Sequence, residues 1–357
     1  MDGAEPEVPG IETMNAGSLS EHSIAVSVII ATHNRASRLR ETLEALRAQQ
    51  TPAGLGWEIL VVDNGSADAT LEVFRTMAMQ APGRLRYAFE PRLGKSRALN
   101  AGIAAARGSV IALTDDDVSP AVDWVATAAT VLDTWGVDGA GGRILPRWEA
   151  EPPSWVLGSE RLLSYLAIME FDKPVMLPVS EGSSPQVWGA NMVYRRSALR
   201  ALGGFDTRLG PVGGRRYCHE DVDIVQRMLQ SGRAMAYDPA LTVFHRVPRA
   251  RLRHAYFHRV MWDMGEGEAL AAADPPSGPR LLGVPRWRFR LLARLAVHST
   301  LRTMARRPGA FDDLLDCVRA AGVTWGQFTR AVQARRMRGV TEGPSPAGAV
   351  PAVRSPR

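Results

Sequence analysis

Residues 109–120, with the sequence SVIALTDDDVSP, indicate both the fold class and the position of a site. The apolar run 109–114 is typical of a buried parallel β-strand. It ends in three consecutive aspartates (115–117), whose carboxylates repel each other by roughly 4 kcal/mol per close pair at an effective dielectric constant of about 20. Ser119 and Pro120 suit the N-cap and first position of a following helix, so the aspartates are not needed as caps.

The residues before this stretch alternate between strand and helix patterns. The predicted strands are VSVIIAT (26–32), WEILVVDNGS (57–66), RLRYAFE (84–90) and SVIALT (109–114), and the predicted helices between them cover 35–50, 67–80 and 95–108. This order predicts an α/β fold, with a parallel sheet that has helices on both faces. Ligands of such sheets bind beyond the carboxyl ends of the strands, where His33, Asn34, Asp63, Asn64 and the three aspartates lie.

From about residue 137 the pattern is mixed. Strands are predicted at 137–146 and within 183–199, a helix at 219–232, a strand–turn–strand unit at 233–248 and Arg-rich helices at 251–338. We therefore predict four regions, which are a disordered N-terminal tail (1–23), an α/β domain (24–250), a helical C-terminal region (251–338) and a disordered tail (339–357).

The composition is that of a globular protein with a substantial core, since 45% of the 357 residues are hydrophobic and 22% are charged. A formal charge of +6 favours anionic partners such as phosphates, nucleotides or acidic lipids, and does not indicate nucleic acid. Two cysteines, Cys218 and Cys317, make no disulfide framework, which favours a reducing compartment. The N-terminal segment lacks a signal-peptide pattern and no stretch is apolar enough to span a bilayer, so we expect a cytoplasmic protein.

The aspartates allow two interpretations. One is an acidic turn that water solvates. The other is a site for Mg²⁺ or Mn²⁺, hard ions that take carboxylate oxygens and share a diphosphate. We favour the metal site, because uncompensated carboxylates at the end of an apolar strand would destabilise the fold.

The segment RLGKSRALN (92–100) resembles the end of a phosphate-binding P-loop, but that motif requires glycine where this chain has Phe89. A helix N-terminus with Lys95 and Arg97 can bind an anion, or it can be a solvated basic turn. The sequence ATHNRAS after the first strand lacks the G-x-G-x-x-G of dinucleotide-binding enzymes, and no G-x-S-x-G occurs.

Two further polar groups each allow a structural and a functional interpretation. Glu220, Asp221 and Asp223 lie in the first turn of a predicted helix, where acidic residues complement the helix dipole. A carboxylate there can also act as a catalytic base. His245 ends an apolar strand, as a structural histidine or as a metal ligand.

Together these segments resemble family 2 glycosyltransferases of the GT-A fold, over about residues 24–248. The matching segments are VSVIIATHNRASRLRETLEAL, EILVVDNGSADAT, EPRLGKSRALNAGIAAARGSVIALTDDD, WGANMVYRRSALRALGGFD, HEDVDIVQRMLQSG and YDPALTVFH. The resemblance implies a Rossmann-like, mixed and mainly parallel sheet flanked by helices, with a C-terminal helical extension beyond it. The family commonly has glycine before the Glu-Asp motif, where this chain has His219.

The resemblance also implies roles for individual residues. The nucleotide- and donor-binding residues it implies, together with neighbours at the same sheet edge, are Thr32, Asn34, Arg35, Asp63, Lys95, Arg97, Asn100, Asp115 and Asp116. The residues near the donor sugar and acceptor are Trp188, Gly189, Ala190, Asn191 and Glu220. Asp221 matches the general base, and Asp117 and His245 match ligands of a Mn²⁺ or Mg²⁺ cofactor.

The activity implied is inverting, metal-dependent transfer of a sugar from a nucleoside diphosphate sugar, with UDP-type donors favoured, to an acceptor hydroxyl. The acceptor can be a polysaccharide, a lipid-linked molecule, a peptide or a small natural product. Two alternatives are a non-catalytic GT-A domain that binds nucleotide sugar or a partner, and a nucleotidyltransferase. The latter usually has a Gly-rich loop after the first strand, which ATHNRAS lacks.

The segment 284–307 mixes arginines with Trp287, Leu291 and Leu295 on one face of a predicted helix. Such a face can lie on an anionic membrane, here the inner face, as a peripheral contact. It can equally pack on the α/β domain, and the sequence leaves both arrangements open.

Overall fold

A computed structural model of the chain describes residues 12–15, 24–178, 187–212, 215–217, 219–272, 278–307 and 309–341. The α-helices are α1 (Ala36–Arg47), α2 (Thr70–Gln80), α3 (Lys95–Ala105), α4 (Trp124–Trp135), α5 (Ser154–Leu157), α6 (Glu160–Tyr165), α7 (Arg196–Ala201), α8 (Glu220–Gln230), α9 (His254–Ala271), α10 (Arg286–Met304) and α11 (Ala310–Thr341). A short 3₁₀ turn covers Arg249–Leu252.

One large sheet forms the centre of the α/β domain. Its strands are β1 (Glu12–Asn15), β2 (Val26–Thr32), β3 (Trp57–Asp63), β4 (Leu85–Phe89), β5 (Val110–Asp115), β6 (Val118–Pro120), β7 (Gly139–Trp148), β8 (Val175–Leu177), β9 (Asn191–Arg195) and β12 (Met235–Val247); separate hairpins are formed by β10 (Gly210–Val212) with β11 (Arg215–Tyr217) and by β13 (Arg280–Leu281) with β14 (Val284–Pro285). The order in the sheet is β1-β4-β3-β2-β5-β9-β7-β12-β6, with β8 beside β12.

The longest ladders of the sheet are parallel. Strands β4, β3, β2 and β5 run parallel to one another, and β12 runs parallel to β7, while β9 is antiparallel between β5 and β7. The carboxyl ends of β2, β3 and β5 therefore meet at one edge, with Thr32 opposite Asp63 and Ala31 opposite Asp115.

Helices cover both faces of the sheet because its central strands are apolar on both sides. Ile29 and Ile30 are both fully buried, yet they point to different clusters. Ile30 belongs to the cluster that includes Leu43 of α1 and Trp124 of α4, whereas Ile29 belongs to the cluster that includes Leu99 of α3. This layered arrangement and the helices that follow it confirm the predicted α/β class with a C-terminal helical extension.

The prediction that Ser119 and Pro120 begin a helix is wrong. They lie in β6, which pairs antiparallel with β12, and the next helix begins only at Trp124, with Asp123 at the N-cap position. The pairing partners are Val243 for Pro120 and Phe244 for Ser119. The local sequence is typical of a helix N-terminus, but pairing with residues far along the chain makes this segment a strand.

The predicted strand–turn–strand unit at 233–248 is instead one strand, β12, with an irregularity between Asp238 and Thr242. Tyr237 and Asp238 continue the parallel ladder with β7, and the ladder resumes at Thr242 after three unpaired residues. The strand thereby carries His245 to the edge of the sheet where the aspartates lie.

The C-terminal helices α9 and α11 pack closely because glycines lie at their contact. A Cβ on Gly265 would lie 2.3 Å from the Arg319 carbonyl oxygen, and one on Gly322 would lie 2.4 Å from the Trp262 carbonyl oxygen. A third apolar cluster, which includes Leu162, Phe257 and Leu315, joins these helices to α6. No helix within the described residues has the length and apolar character needed to cross a membrane.

Two findings bear on the predicted tails. Residues 12–15 form β1, which pairs antiparallel with β4, so the prediction of a disordered tail did not anticipate this strand. Residues 339–341 extend α11. The other residues of the two tails lie outside the described ranges, and the boundaries at 24, 250 and 338 stay predictions.

Candidate active site

A cleft of about 660 Å³ opens at the edge where the carboxyl ends of β2 and β5 meet. This size is within the usual range for a small-molecule site. Most of the predicted site residues line it, namely Thr32, Arg35, Lys95, Asp115, Asp116, Asp117, Trp188, Glu220, Asp221 and His245. The fold thus brings together residues from β2, β5, β12 and the N-termini of α3 and α8.

Asp116 is held on the β2 side of the cleft. Its carboxylate accepts hydrogen bonds from the Thr32 hydroxyl (2.8 Å) and from the Arg35 guanidinium (2.9 Å). Burial raises the pKa of Asp116 to about 6, against the charge of Arg35, which lowers it. The Thr42 hydroxyl of α1 donates to the Asp116 and Val118 carbonyl oxygens, which anchors this turn to the first helix.

Asp117 lies between two arginines and a histidine. Its Oδ2 accepts from Arg251 (2.9 Å) and Arg35 (3.2 Å), and its Oδ1 is 3.6 Å from Nε2 of His245. Burial acts to raise the pKa of Asp117, but the positive charges of Arg251 and Arg35 outweigh burial and hold that pKa far below the usual range. Asp117 is therefore a carboxylate at neutral pH.

Lys95 lines the cleft from the N-terminus of α3. Its Nζ is 2.7 Å from Asp115 Oδ1 and 3.6 Å from Glu220 Oε1. Burial acts to lower the pKa of Lys95, but the carboxylates of Asp115 and Glu220 outweigh burial and raise it. The lysine is thus a fixed positive charge that joins β5 to the start of α8.

Asp221 points at the backbone of the WGAN segment. Its Oδ2 accepts the Gly189 N–H (3.1 Å), and its Oδ1 accepts the Val222 N–H (2.9 Å). The adjacent Glu220 is 5% exposed, and burial, with the nearby charge of Asp221, raises its pKa to about 7. Glu220 therefore keeps its proton to a higher pH than an ordinary glutamate does.

His219 adopts a left-handed backbone conformation, with φ of 100°. Glycine reaches this region without steric cost, whereas other residues are strained there. The glycine that the family commonly has before its Glu-Asp motif would therefore fit the backbone of this chain. His219 takes the same turn into α8 at a conformational cost.

Several predicted site residues do not line the cleft. Asp63 is 2% exposed, and its carboxylate accepts from the Ser66 N–H (2.8 Å) and the Tyr87 hydroxyl (2.7 Å). Asn34 is exposed and its Oδ1 accepts the Ala67 N–H at 2.7 Å. Arg97 is partly exposed on α3. Their predicted roles in nucleotide binding stay predictions.

Two predicted asparagines hold backbone segments together. The Asn100 side chain donates to the Phe205 carbonyl oxygen (2.8 Å) and accepts the Phe205 N–H (2.8 Å). The Asn191 amide donates to the carbonyl oxygens of Arg143 and Leu241 and accepts the Trp124 indole N–H. Both amides stabilise the fold around the cleft.

Trp188 lies where the cleft meets a second, larger cavity of about 1120 Å³. Residues from α6, α8, α9 and α11 line this cavity, including Arg161, Asp223 and Arg319. Gly189 and Ala190, which follow Trp188, hold it in place: Gly189 binds Asp221, and the Ala190 carbonyl oxygen accepts the Thr114 hydroxyl. Within the described residues the buried indole N–H of Trp188 has no hydrogen-bond partner.

The Asp117–His245 pair has the donor atoms of a divalent-metal site. The His245 Nδ1 is 2.8 Å from the Leu166 carbonyl oxygen, an arrangement that orients a histidine whose Nε2 binds metal. No three His, Cys, Asp or Glu side chains of the described residues converge on one point, however. The residues present therefore fit an ion that takes its remaining ligands from a diphosphate and water.

Arg251 is a cleft residue that sequence reasoning missed. It follows β12 in an Arg-rich stretch, RVPRARLRH, and the 3₁₀ turn after Pro248 directs it back towards His245. Composition alone marks this stretch as basic. It does not say which of the four arginines faces the aspartates.

The raised pKa of Glu220 makes stability pH-dependent. The folded protein keeps this carboxyl protonated up to about pH 7, whereas the unfolded chain loses the proton near the ordinary value of 4.5. The free energy of unfolding therefore falls as pH rises between these two pKa values, at a rate of up to about 1.4 kcal/mol per pH unit. In Glu220→Gln this contribution is absent, so its Tm should fall less over the same interval, as calorimetry at several pH values would measure.

The exposed Glu44 of α1 offers the matched control. Glu44→Gln should keep the wild-type dependence of Tm on pH, because the Glu44 side chain is exposed to solvent. If the Tm of wild type and of Glu220→Gln changed equally with pH, the raised pKa of Glu220 would be contradicted.

The chain is similar in sequence to known glycosyltransferases. Over 221 residues, 62% of this chain, it is 32% identical to the pre-mycofactocin glycosyltransferase of Mycobacterium tuberculosis strain H37Rv, of which the match covers 42%. Over 119 residues, 33% of this chain, it is 34% identical to glycosyltransferase AglE of Haloferax volcanii, of which the match covers 39%. The chain thus spans about two fifths of the length of these relatives.

A solved structure shows the same fold. A mannosyltransferase from Pyrobaculum calidifontis, in complex with GDP-Man and Mn²⁺, has a TM-score of 0.54 and 22% identity to this chain, covering 90% of this chain and 88% of its own. This likeness confirms the GT-A expectation for the fold. Residues 27–203 match the sequence profile described as Glycosyl transferase family 2. By this match, the chain belongs to glycosyl transferase family 2.

Proposed function

We propose that the protein is an inverting, metal-dependent glycosyltransferase that moves a sugar from a nucleoside diphosphate sugar to an acceptor hydroxyl. The observation that carries the proposal is the composition of one cleft. It combines the Asp117–His245 donor pair, the fixed cations Lys95 and Arg35, and the Asp221 carboxylate. A diphosphate, a divalent ion and a hydroxyl that must lose a proton would each meet a suitable group there.

In the proposed reaction the acceptor oxygen attacks the anomeric carbon while the bond from that carbon to the diphosphate oxygen breaks. The acceptor proton goes to the Asp221 carboxylate, which the Gly189 N–H orients at 3.1 Å. The nucleoside diphosphate leaves with the bonding electron pair. A single displacement inverts the anomeric centre and needs no covalent enzyme intermediate.

Charge on the leaving diphosphate must be stabilised as it develops. Lys95 and Arg35 are held by carboxylates before substrate arrives, so little reorganisation is needed when the reaction begins. A Mn²⁺ or Mg²⁺ ion held by Asp117 and His245 would supply further positive charge there. Glu220, protonated up to about pH 7, limits negative charge beside Asp221.

For the donor, two observations point to different bases. The resemblance to the family favours a UDP-type nucleotide, whereas the structurally similar mannosyltransferase was solved with GDP-Man. A donor screen should therefore contain uridine and guanosine diphosphate sugars. The presence of Mn²⁺ in that complex supports Mn²⁺ as the first metal to test.

We assign the acceptor to the second cavity, which adjoins the cleft at Trp188. An acceptor there would lie against Val222 and Asp223 of α8, which directly follow Asp221 in the chain. The indole N–H of Trp188, which has no partner among the described residues, is a donor for an acceptor or sugar oxygen. The mixed charges along this cavity, such as Arg161, Asp223 and Arg319, suit a polar acceptor.

Asp221→Asn tests the role of the base. Asparagine keeps the shape of aspartate but cannot accept the proton, so kcat should fall roughly 10²-fold or more while donor binding stays near wild type. Turnover is followed as release of nucleoside diphosphate, and donor binding by calorimetry. Asp133→Asn, at a side chain that is 77% exposed on α4, is the control and should keep wild-type turnover.

Product identity separates this proposal from its rivals. Release of pyrophosphate instead of nucleoside diphosphate would indicate nucleotidyl transfer. Donor binding without turnover across the screened donors and acceptors would indicate a non-catalytic domain. Wild-type turnover in Asp221→Asn would overturn the assignment of the base.

We also propose that α10 contacts an anionic membrane surface. One face of the helix is exposed and carries large apolar side chains, which are Trp287 (53% exposed), Val297 (61%), Leu301 (61%) and Met304 (77%). The exposed arginines of the same helix are Arg286, Arg290 and Arg294, and α10 contains no acidic residue. Apolar and cationic groups together complement the acyl–headgroup boundary of anionic lipid.

Vesicle flotation tests the membrane proposal. Wild type should float with phosphatidylglycerol-containing vesicles and stay with the unbound fraction in pure phosphatidylcholine. The R290E/R294E variant should lose most of the bound fraction, since each cation near such a surface contributes about 1 kcal/mol. R75E/R107E, which reverses two exposed arginines elsewhere, is the control and should still float. Equal binding of both double variants, or no binding by wild type, would overturn the proposal.

A further inference from the structure

The Asp117–His245 pair already has a cationic partner within the chain. Arg251 donates from Nη2 to Asp117 Oδ2 (2.9 Å) and from Nη1 to His245 Nε2 (2.8 Å). The Arg251 side chain is 13% exposed, and those of Asp117 and His245 are 8% and 5% exposed. One guanidinium therefore bridges, in a buried setting, the two groups that we assign as metal ligands.

The two hydrogen bonds of the His245 ring determine which ring nitrogen carries a lone pair. Because the Leu166 carbonyl oxygen only accepts hydrogen bonds, Nδ1 of His245 carries a proton, and because the donor Nη1 of Arg251 lies 2.8 Å from Nε2, that second ring nitrogen carries a lone pair. Arg251 has donors and no acceptor, so it binds that lone pair. A divalent ion would need the same Nε2 lone pair and a lone pair of the same carboxylate.

We propose that Arg251 is a built-in counter-cation that competes with the divalent ion for the Asp117–His245 pair. A metal binds there only when the guanidinium leaves His245 Nε2. The inference rests on the proposed metal site, and it adds a residue that sets the affinity of that site. Arg251 lines the cleft, so the displaced guanidinium stays where an incoming diphosphate would be.

Arg35 differs from Arg251 in a way that makes the comparison informative. Its guanidinium also contacts Asp117 (3.2 Å), but its shorter bond is to Asp116 (2.9 Å), so its partners are two carboxylates rather than a carboxylate and an imidazole. Its side chain is 41% exposed, so water screens it more. Removal of either arginine takes one positive charge from Asp117, but only removal of Arg251 frees the His245 lone pair.

The consequence is a coupling between metal and nucleotide. In the wild type, Mn²⁺ alone must displace a buried, two-pronged guanidinium, whereas Mn²⁺ with a diphosphate offers that guanidinium a new anionic partner. Mn²⁺ should therefore bind weakly by itself. Coupling between two ligands of this kind is typically about 5- to 150-fold.

Mn²⁺ binding without nucleotide tests the proposal independently of turnover. Titration of the full-length chain, followed by the electron paramagnetic resonance signal of free Mn²⁺, should give a Kd roughly tenfold lower for Arg251→Gln than for wild type. Arg35→Gln should change the Kd by no more than about threefold. The added Asp117→Asn substitution should abolish the gain, which shows that the metal binds at this carboxylate.

Arg251→Lys is the second variant, and it is used if a thermal unfolding measurement shows that Arg251→Gln is not folded. Lysine is a point charge that cannot bridge both groups, so its Kd should lie between those of wild type and the glutamine variant. An unchanged Kd in the variants, or an equal gain in Arg35→Gln, would overturn the proposal. Tighter Mn²⁺ binding without any sugar transfer would leave this inference standing and reject the proposed function.

Discussion

The antiparallel pairing of β6 with β12 is the constraint on which the rest of the site depends. It places Val118 opposite His245, and the Arg246 N–H donates to the Asp117 carbonyl oxygen at 3.1 Å. The turn between β5 and β6 is thereby fixed at both ends, so the aspartates cannot move away from the sheet edge. This pairing brings Asp117 Oδ1 and His245 Nε2 to 3.6 Å from each other.

The electrostatics of the cleft follow from this crowding. Buried charges are tolerated only when they are paired, and the cations Lys95, Arg35 and Arg251 each contact at least one carboxylate. Burial raises the pKa values of Asp116 and Glu220, and the neighbouring charges of Asp117 and Asp221 raise them further. A site with excess carboxylate suits a divalent cation, and fixed lysine and arginine suit the anion that arrives with it.

The local sequence was sufficient to predict strands that are marked by a continuous apolar run. The apolar run VSVIIAT predicted a strand at 26–32, and β2 is Val26–Thr32, because such runs fit a doubly covered parallel strand. The aspartates were placed correctly at the carboxyl end of β5 for the same reason. The resemblance to a known family then selected Asp221 and His245 from residues that local patterns left ambiguous.

What local patterns missed depends on long-range contacts. Ser119 and Pro120 carry a helix-start signal, but pairing with residues 243–245 places them in a strand. Arg251 is one arginine among several, and only the turn after β12 directs it towards the cleft. Asn191 was expected near substrate, yet its amide satisfies backbone carbonyls of two strands. The direction of a side chain follows from partners that the nearby sequence does not specify.

A crystal structure with Mn²⁺ and UDP or GDP bound would examine these assignments together. We expect the metal to touch an Asp117 carboxylate oxygen, His245 Nε2 and the diphosphate, with the diphosphate also near Lys95 or Arg35. Arg251 should no longer contact His245 Nε2. A nucleotide bound outside this cleft, or a metal that does not touch Asp117, would contradict the account.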